Sequence, residues 1–522
     1  MLAPPPSLPT QTTCQLAGEA DGWALFGDEV DNRASAADKT TVSDGVGDNA
    51  WVLFDEGNAD PPQAVTSPAE TLLKGSAQEV TKSESLELSN TRLAVVQARA
   101  QLVALAAETV PAAAIDLATL GSPWSEAAPR LSRALSLLRE SRDTELLHVA
   151  QSLADEAFAQ LTGARAWHHP AQRELFCISG AMAAVAACTN SLNSGLEPLR
   201  ARATLLRAMK DADLSTILGL PAKVAGPLCR ATESVLRVSG ILDGSSVSVS
   251  HESRDSSQAS QSWPAVGVMP AMIGPAVHSV AAAALPFEEF QRRNFRHSAV
   301  VLRGYANSWP GCSEWAGAAG LRRLAQRHGH RTVPVELCKV GGEMREELML
   351  LRNFVEEHLL APDAGPRAAS GETAYLAQHD LFAQIPELRS FISTPEYCRA
   401  GTLSNVSAWL GTGGTVTRAH YDSYDNLFVQ LTGRKYVRLL DQDQADCLYR
   451  VKRARGEDDS GASHQNRGNY EASLLAQGNV SAIPDLEHVD LEKYPKMAHA
   501  RYSETILEAG DALYIPEGEW HF

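Results

Sequence analysis

The stretch Thr417-Arg418-Ala419-His420-Tyr421-Asp422 decides how the C-terminal half of this chain is read. Side chains two apart on a strand point to the same face, so His420 and Asp422 can enter one cavity together. A His-x-Asp pair joined by a second, distant His is the ligand set of a mononuclear non-haem iron site. His521 supplies that partner. It follows the apolar run Ala512-Leu513-Tyr514-Ile515 and a Pro/Gly turn, a suitable place for a ligand at a barrel mouth. Between the two lie Asn426, an apolar strand, and then Lys435, a cation for an anionic co-substrate. Three ligands on one face of an octahedral metal leave three positions for a bidentate keto acid and dioxygen.

Spacing alone is weak evidence. His488-Val489-Asp490 has the same form, and in a chain with 15 His about one such pair is expected by chance. His488 sits in a polar stretch with no strand and no basic residue in the right place downstream. Only His420 has Thr417 before it and Asn426 and Lys435 after it. The competing reading of His420 and Asp422 is a structural hydrogen-bonded pair.

The 522 residues suffice for two or three domains, and a hydrophobic content of 44% is ordinary for a folded protein. A net charge of -17 argues against broad affinity for nucleic acid or anionic membrane. Residues 1–84 hold 14 acidic and 4 basic residues, so about 10 of the excess negative charges sit there. The 8 Cys include no CxxC pair and read as reduced thiols. No basic-then-apolar signal pattern opens the chain, so no membrane partner and a nuclear or cytoplasmic location are expected.

Composition divides the chain. Residues 1–84, rich in Pro, Asp, Ser, Thr and Gly, are expected to be a disordered acidic tail. Inside it Trp23-Ala24-Leu25-Phe26 is echoed by Trp51-Val52-Leu53-Phe54, an aromatic-acidic repeat able to order on a partner. In residues 85–242 Leu and Ala recur at helical spacing, as at Leu131, Leu135 and Leu138, which predicts a domain of packed helices. His168-His169 there read as loop residues. Residues 243–265 form a Ser-rich linker. Residues 266–522 mix strands, such as Ala299–Arg303, Arg331–Glu336, Asn426–Gln430 and Tyr436–Leu440, with helices at Pro286–Asn294 and Arg345–Leu359. A charged, loop-like insertion runs roughly from Arg450 to Tyr470. The expected fold class is therefore α+β multidomain: a helical domain followed by a β-barrel or jelly-roll core.

Further strings carry a resemblance. Val301-Leu302-Arg303-Gly304-Tyr305-Ala306, Thr332-Val333-Pro334-Val335-Glu336, Tyr375-Leu376-Ala377-Gln378-His379-Asp380-Leu381-Phe382, Gly433-Arg434-Lys435-Tyr436 and Asp490-Leu491-Glu492-Lys493-Tyr494-Pro495 resemble the jumonji-C family of iron(II)- and 2-oxoglutarate-dependent oxygenases. The likeness runs from about Leu285 to His521.

The resemblance implies a double-stranded β-helix of the cupin type, with His420, Asp422 and His521 as ligands of Fe(II). It implies that Lys435 pairs with the distal carboxylate of 2-oxoglutarate, with Tyr375, Thr417 and Asn426 as further contacts to that co-substrate. Glu336, Gln378 and Trp409 line up with the pocket for a substrate arginine, so the implied partner is a protein or peptide with a cationic side chain. A carboxylate pairs bidentately with guanidinium, and Trp can wall its planar face. The implied activity is hydroxylation of arginine or demethylation of methyl-lysine, with dioxygen consumed. The alternative is an inactive scaffold that binds partners through its helical domain and acidic tail. Because family members continue past the distal His with further strands, the domain is expected to be incomplete at its C-terminus.

Overall fold

Helix α1 (Pro68–Thr119) opens the part of the chain described by the computed structural model, which covers residues 68–163, 170–194, 198–242, 269–339, 344–360, 372–451 and 478–522. The expected tail of residues 1–84 is thus corrected: its last part, from Pro68, is helical. The Trp23/Trp51 repeat, His168-His169, the Ser-rich linker to residue 265 and most of the insertion after Arg450 lie outside the described residues. Thr91–Phe522 belong to one compact unit; Phe26–Asn90 form another, of which only the start of α1 is described.

The helical domain follows from periodicity. Along α1, Thr91, Val95, Ala98, Leu102, Ala106, Val110, Ala113 and Leu117 are buried, a stripe stepping by three and four residues. After α1 come α2 (Trp124–Glu140), α3 (Asp143–Gly163), α4 (Pro170–Asn193), α5 (Pro198–Ile217) and α6 (Ala222–Val238). Helix α4 packs against α2, α3, α5 and α6, and nearly all of its residues are buried. Two described helices, Ser85–Thr119 and Pro170–Asn193, are long and apolar enough to cross a membrane. For Pro170–Asn193 burial on all sides explains the composition, as for the central helix of a bundle.

The C-terminal domain contains strands β1 (Ser279–Ala281), β2 (Val300–Arg303), β3 (Thr332–Lys339), β4 (Met344–Leu350), β5 (Glu372–His379), β6 (Ala408–Gly411), β7 (Asn426–Val429), β8 (Lys435–Leu440), β9 (Ser503–Leu507), β10 (Ala512–Ile515) and β11 (Trp520–His521). They form three short sheets with orders β1-β2-β10-β7, β11-β8-β9 and β4-β3-β5-β6. Helices α7 (Phe287–Arg293), α8 (Pro310–Glu314), α9 (Gly317–His328), α10 (Leu351–Asn353) and α11 (Leu381–Gln384) connect them.

The expected helix over Arg345–Leu359 is wrong for its first half. Met344–Leu350 is a strand paired with β3 along seven positions, from Thr332↔Leu350 to Cys338↔Met344. Glu, Met and Leu are good helix formers, but local propensity is a weak force and a continuous ladder overrides it. The helical part begins at Leu351 and continues as a wider turn over Phe354–Leu359.

Strand β3 shows how the fold aims a functional residue. Val333, Val335 and Leu337 are fully buried and pack with Leu321, Leu351, Phe354 and Val355. Alternation then sends Glu336 to the opposite face. Just before β3, Arg331 is completely buried and reaches into the helical domain. Its Nη2 donates to Asp213 Oδ1 on α5 at 2.6 Å, Nε donates to the same atom at 3.0 Å, and Nη1 donates to Glu233 Oε2 on α6 at 3.4 Å. Asp213 Oδ2 also accepts from the backbone of Thr332 at 2.8 Å. Burial opposes the charge of Arg331, yet Asp213 raises the guanidinium pKa above its ordinary value. The two domains are thus joined through a dry ionic contact at the foot of β3.

Candidate metal centre

The two His ligands are brought together by backbone pairing. His420 N donates to His521 O at 3.0 Å, and His521 N donates to His420 O at 2.8 Å. Residues that exchange both bonds across an antiparallel pair project their side chains to the same face. The rings accordingly lie with centroids 4.2 Å apart. Asp422, two residues along, falls on that face as well. Gly518 makes the return possible: it sits at φ +80° in the turn between β10 and β11, and its N–H donates to Asp422 O at 2.9 Å.

Ligand atoms of His420, Asp422 and His521 all lie within 4.8 Å of one another. His420 Nε2 is 3.9 Å from Asp422 Oδ1, and His521 Nε2 is 3.6 Å from Asp422 Oδ2. The other ring nitrogens are occupied. His420 Nδ1 lies 2.9 Å from Arg418 O, and His521 Nδ1 lies 3.1 Å from Glu519 O. A carbonyl only accepts, so each Nδ1 carries the proton and each Nε2 presents a lone pair to the centre. Burial pushes the His521 pKa down to about 4, and His420 and Lys435 add to it, which keeps the ring neutral near pH 7. Asn426 Nδ2 donates to Asp422 Oδ2 and fixes the carboxylate. Two neutral imidazoles and one carboxylate, converging with their outer atoms already tied, fit a non-haem Fe(II).

Beside this centre stands a cation. Lys435 Nζ donates to the Tyr375 hydroxyl at 3.1 Å and lies 5.0 Å from the Phe428 ring centroid. Among the described residues no carboxylate forms an ion pair with it. Tyr375 is on β5, Phe428 on β7 and Lys435 on β8, so all three sheets contribute. Gly411, opposite Tyr375 in the β5–β6 ladder, leaves room for the ring: a Cβ there would come within 2.6 Å of Tyr375 Cδ2. Gly411→Ala is expected to lower stability by about 1–3 kcal/mol through overpacking, read from the urea midpoint; an unchanged midpoint would show that Tyr375 moves freely.

The remaining pocket residues line one sheet. Glu336 faces Tyr375 directly across the β3–β5 ladder. The β5–β6 ladder pairs Leu376 with Leu410 and His379 with Ala408, so Ala377 and Gln378 together oppose the single residue Trp409. This is a β-bulge. Gln378 takes φ +47° there, and Trp409 packs on Phe428 with ring centroids 6.1 Å apart. Glu336, Gln378 and Trp409 therefore share a sheet with Tyr375.

Thr417 and Asn426 are the other two expected co-substrate contacts. Thr417 is exposed on an irregular stretch before His420, and among the described residues no hydrogen bond joins it to the others. Asn426 is engaged by Asp422. The second His-x-Asp pair is no site: the His488 side chain is 83% exposed and its Nδ1 meets Asp485, not Asp490, at 2.8 Å. Phe428 and Gly411 were missed by sequence reading. Alternation from Asn426 could have indicated Phe428, and a Gly inside a strand next to Trp409 could have flagged a close approach.

Known proteins resemble the part of the chain that holds these residues. The family described as a cupin-like domain matches residues 286–522. JmjC domain-containing protein F of Dictyostelium discoideum is 34% identical over 263 residues, covering 42% of this chain and 53% of the relative. Lysine-specific demethylase 8 of Xenopus tropicalis is 34% identical over 229 residues, covering 43% and 44%. Jumonji C domain-containing protein 5 of Drosophila melanogaster is 33% identical over 246 residues, covering 45% and 54%. Residues 286–522 thus carry a cupin-like domain similar to those of jumonji-C proteins. The chain spans about half the length of the curated relatives it matches, and its matched residues 286–522 include His420, Asp422 and His521.

Proposed function

We propose that this chain is an iron(II)- and 2-oxoglutarate-dependent oxygenase that hydroxylates an arginine side chain of a protein substrate. The observation that carries the reading is the convergence of His420, Asp422 and His521 beside Lys435, an ammonium with aromatic walls and no carboxylate partner among the described residues. An ammonium so placed calls for an anion, because charge removed from water needs a partner.

The residues of the chain hold and orient. His420, Asp422 and His521 would bind the metal through Nε2, a carboxylate oxygen and Nε2. Lys435, steadied by the Tyr375 hydroxyl, would take the far carboxylate of 2-oxoglutarate. When bound, iron supplies the redox chemistry in which 2-oxoglutarate, dioxygen and a C–H bond become succinate, carbon dioxide and an alcohol. Glu336 would accept two guanidinium N–H bonds, and Trp409 would cover the planar face of that group. Such a fork-to-carboxylate contact favours arginine over methyl-lysine, whose ammonium lacks the matching pair of donors. The inactive-scaffold alternative is disfavoured by the presence together of all three ligands and the lysine.

The test is mass spectrometry of succinate release and of an arginyl peptide heavier by one oxygen atom, with Fe(II) and 2-oxoglutarate supplied. Absence of both products sinks the reading; loss of a methyl group from methyl-lysine peptides alone would redirect it to demethylation. Lys435→Ala is expected to raise the KM for 2-oxoglutarate roughly tenfold to a hundredfold, the loss of one charge-assisted contact. Succinate release titrated against 2-oxoglutarate measures it, and an unchanged KM would remove Lys435 from the site.

A further inference from the structure

The bulge in β5 needs a holder. A non-glycine residue at positive φ, such as Gln378 at +47°, costs on the order of 1–3 kcal/mol and persists only where its surroundings over-determine it. The next residue shows what does so. His379 is buried, and its Nε2 lies 2.5 Å from Oε1 of Gln384, which has no exposed surface. Gln384 Nε2 donates to Thr332 O at 2.7 Å. That carbonyl fixes the amide orientation, so Oε1 is the acceptor and His379 Nε2 the donor. The main-chain oxygen of Gln384 accepts Arg331 Nη2 at 2.6 Å, and Arg331 is held by Asp213 of the helical domain.

We propose that His379 and Gln384 are positioning residues for the substrate pocket: they hold the β5 bulge that sets Gln378 opposite Trp409, and Arg331–Asp213 anchors them to helix α5. The inference rests on the reading of Gln378 and Trp409 as substrate contacts. Neither His379 nor Gln384 is among the metal ligands or the residues around Lys435, so a polar, fully satisfied network in this place serves shape rather than chemistry. The bulge sets two residues against one, which re-aims a side chain and shifts the register by one residue between Leu376↔Leu410 and His379↔Ala408.

The experiment compares His379→Leu, which removes the donor, with His379→Gln, whose amide nitrogen can replace it. In His379→Leu the KM for an arginyl peptide is expected to rise about tenfold or more. Turnover at saturating peptide, the KM for 2-oxoglutarate and peptide-free succinate release should stay near wild type, and His379→Gln should restore the peptide KM. Amide hydrogen exchange over residues 376–380, read without substrate, should be faster in His379→Leu and normal in His379→Gln. Unchanged exchange overturns the proposal, as does faster exchange with an unaltered peptide KM or an equal fall in every kinetic constant. If wild type releases succinate but oxidises no arginyl peptide, the substrate assignment fails, and the exchange result alone decides on the holder.

Discussion

Asp422→Ala will weaken Mn(II) binding, used as a redox-silent stand-in for Fe(II), by more than about 100-fold, and succinate release will fall to background. Loss of an outer partner of a ligand typically costs 10–100-fold in metal affinity, and here a ligand itself is removed. The residual pair, His420 and His521, offers two neutral donors and no negative charge to offset that of the metal. The geometry adds a graded control. Asn426→Ala removes only the donor to Asp422 and should cost about 10–100-fold. His488→Ala, at the exposed pair that meets Asp485, should change nothing. Calorimetric titration with Mn(II) gives the affinities, and wild-type binding by Asp422→Ala would show that the metal, if any, sits elsewhere.

The second large effect concerns stability. Asp213→Ala leaves the Arg331 guanidinium wholly buried beside the more distant Glu233, and strips the Thr332 N–H of its acceptor. Breaking one side of a buried ion pair costs about 3–5 kcal/mol, because the other charge stays out of water without its partner. Urea unfolding followed by tryptophan fluorescence should show a lower midpoint of that order. Glu233→Ala should cost less, since its contact is 3.4 Å and Asp213 remains in place. The double replacement Asp213→Leu/Arg331→Met removes both charges and should recover most of the loss. If Asp213→Ala unfolds at the wild-type midpoint, the domain contact is not held by this pair.

The C-terminal core was legible to different depths. The short apolar run Ala512–Ile515 coincides with an observed strand because a strand buried on both faces is apolar at every position. Met344–Leu350 was misread because its Met, Arg, Glu and Leu residues all favour helix locally, and pairing with β3 overrides that preference. His420 and Asp422 were readable as a pair two residues apart. The choice between them and His488-Asp490 needed context, and the structure separates the two by exposure. That Asn426 donates to Asp422 was not legible in the sequence, because it depends on how the chain turns between them.

The sequence by itself determined the chemistry available: two imidazoles, a carboxylate and a lysine in an order that a β-rich domain can use, since a strand's period of two places His420 and Asp422 on one face. It could not determine which distant residues meet. His521 lies about a hundred residues on, and only reciprocal backbone bonds with His420 bring its ring to the same face as His420 and Asp422. The bulge at Gln378, the room left by Gly411 and the reach of Arg331 to Asp213 are likewise decisions of tertiary structure. Each depends on a neighbour far away in the chain, and packing, not local propensity, sets which neighbour that is.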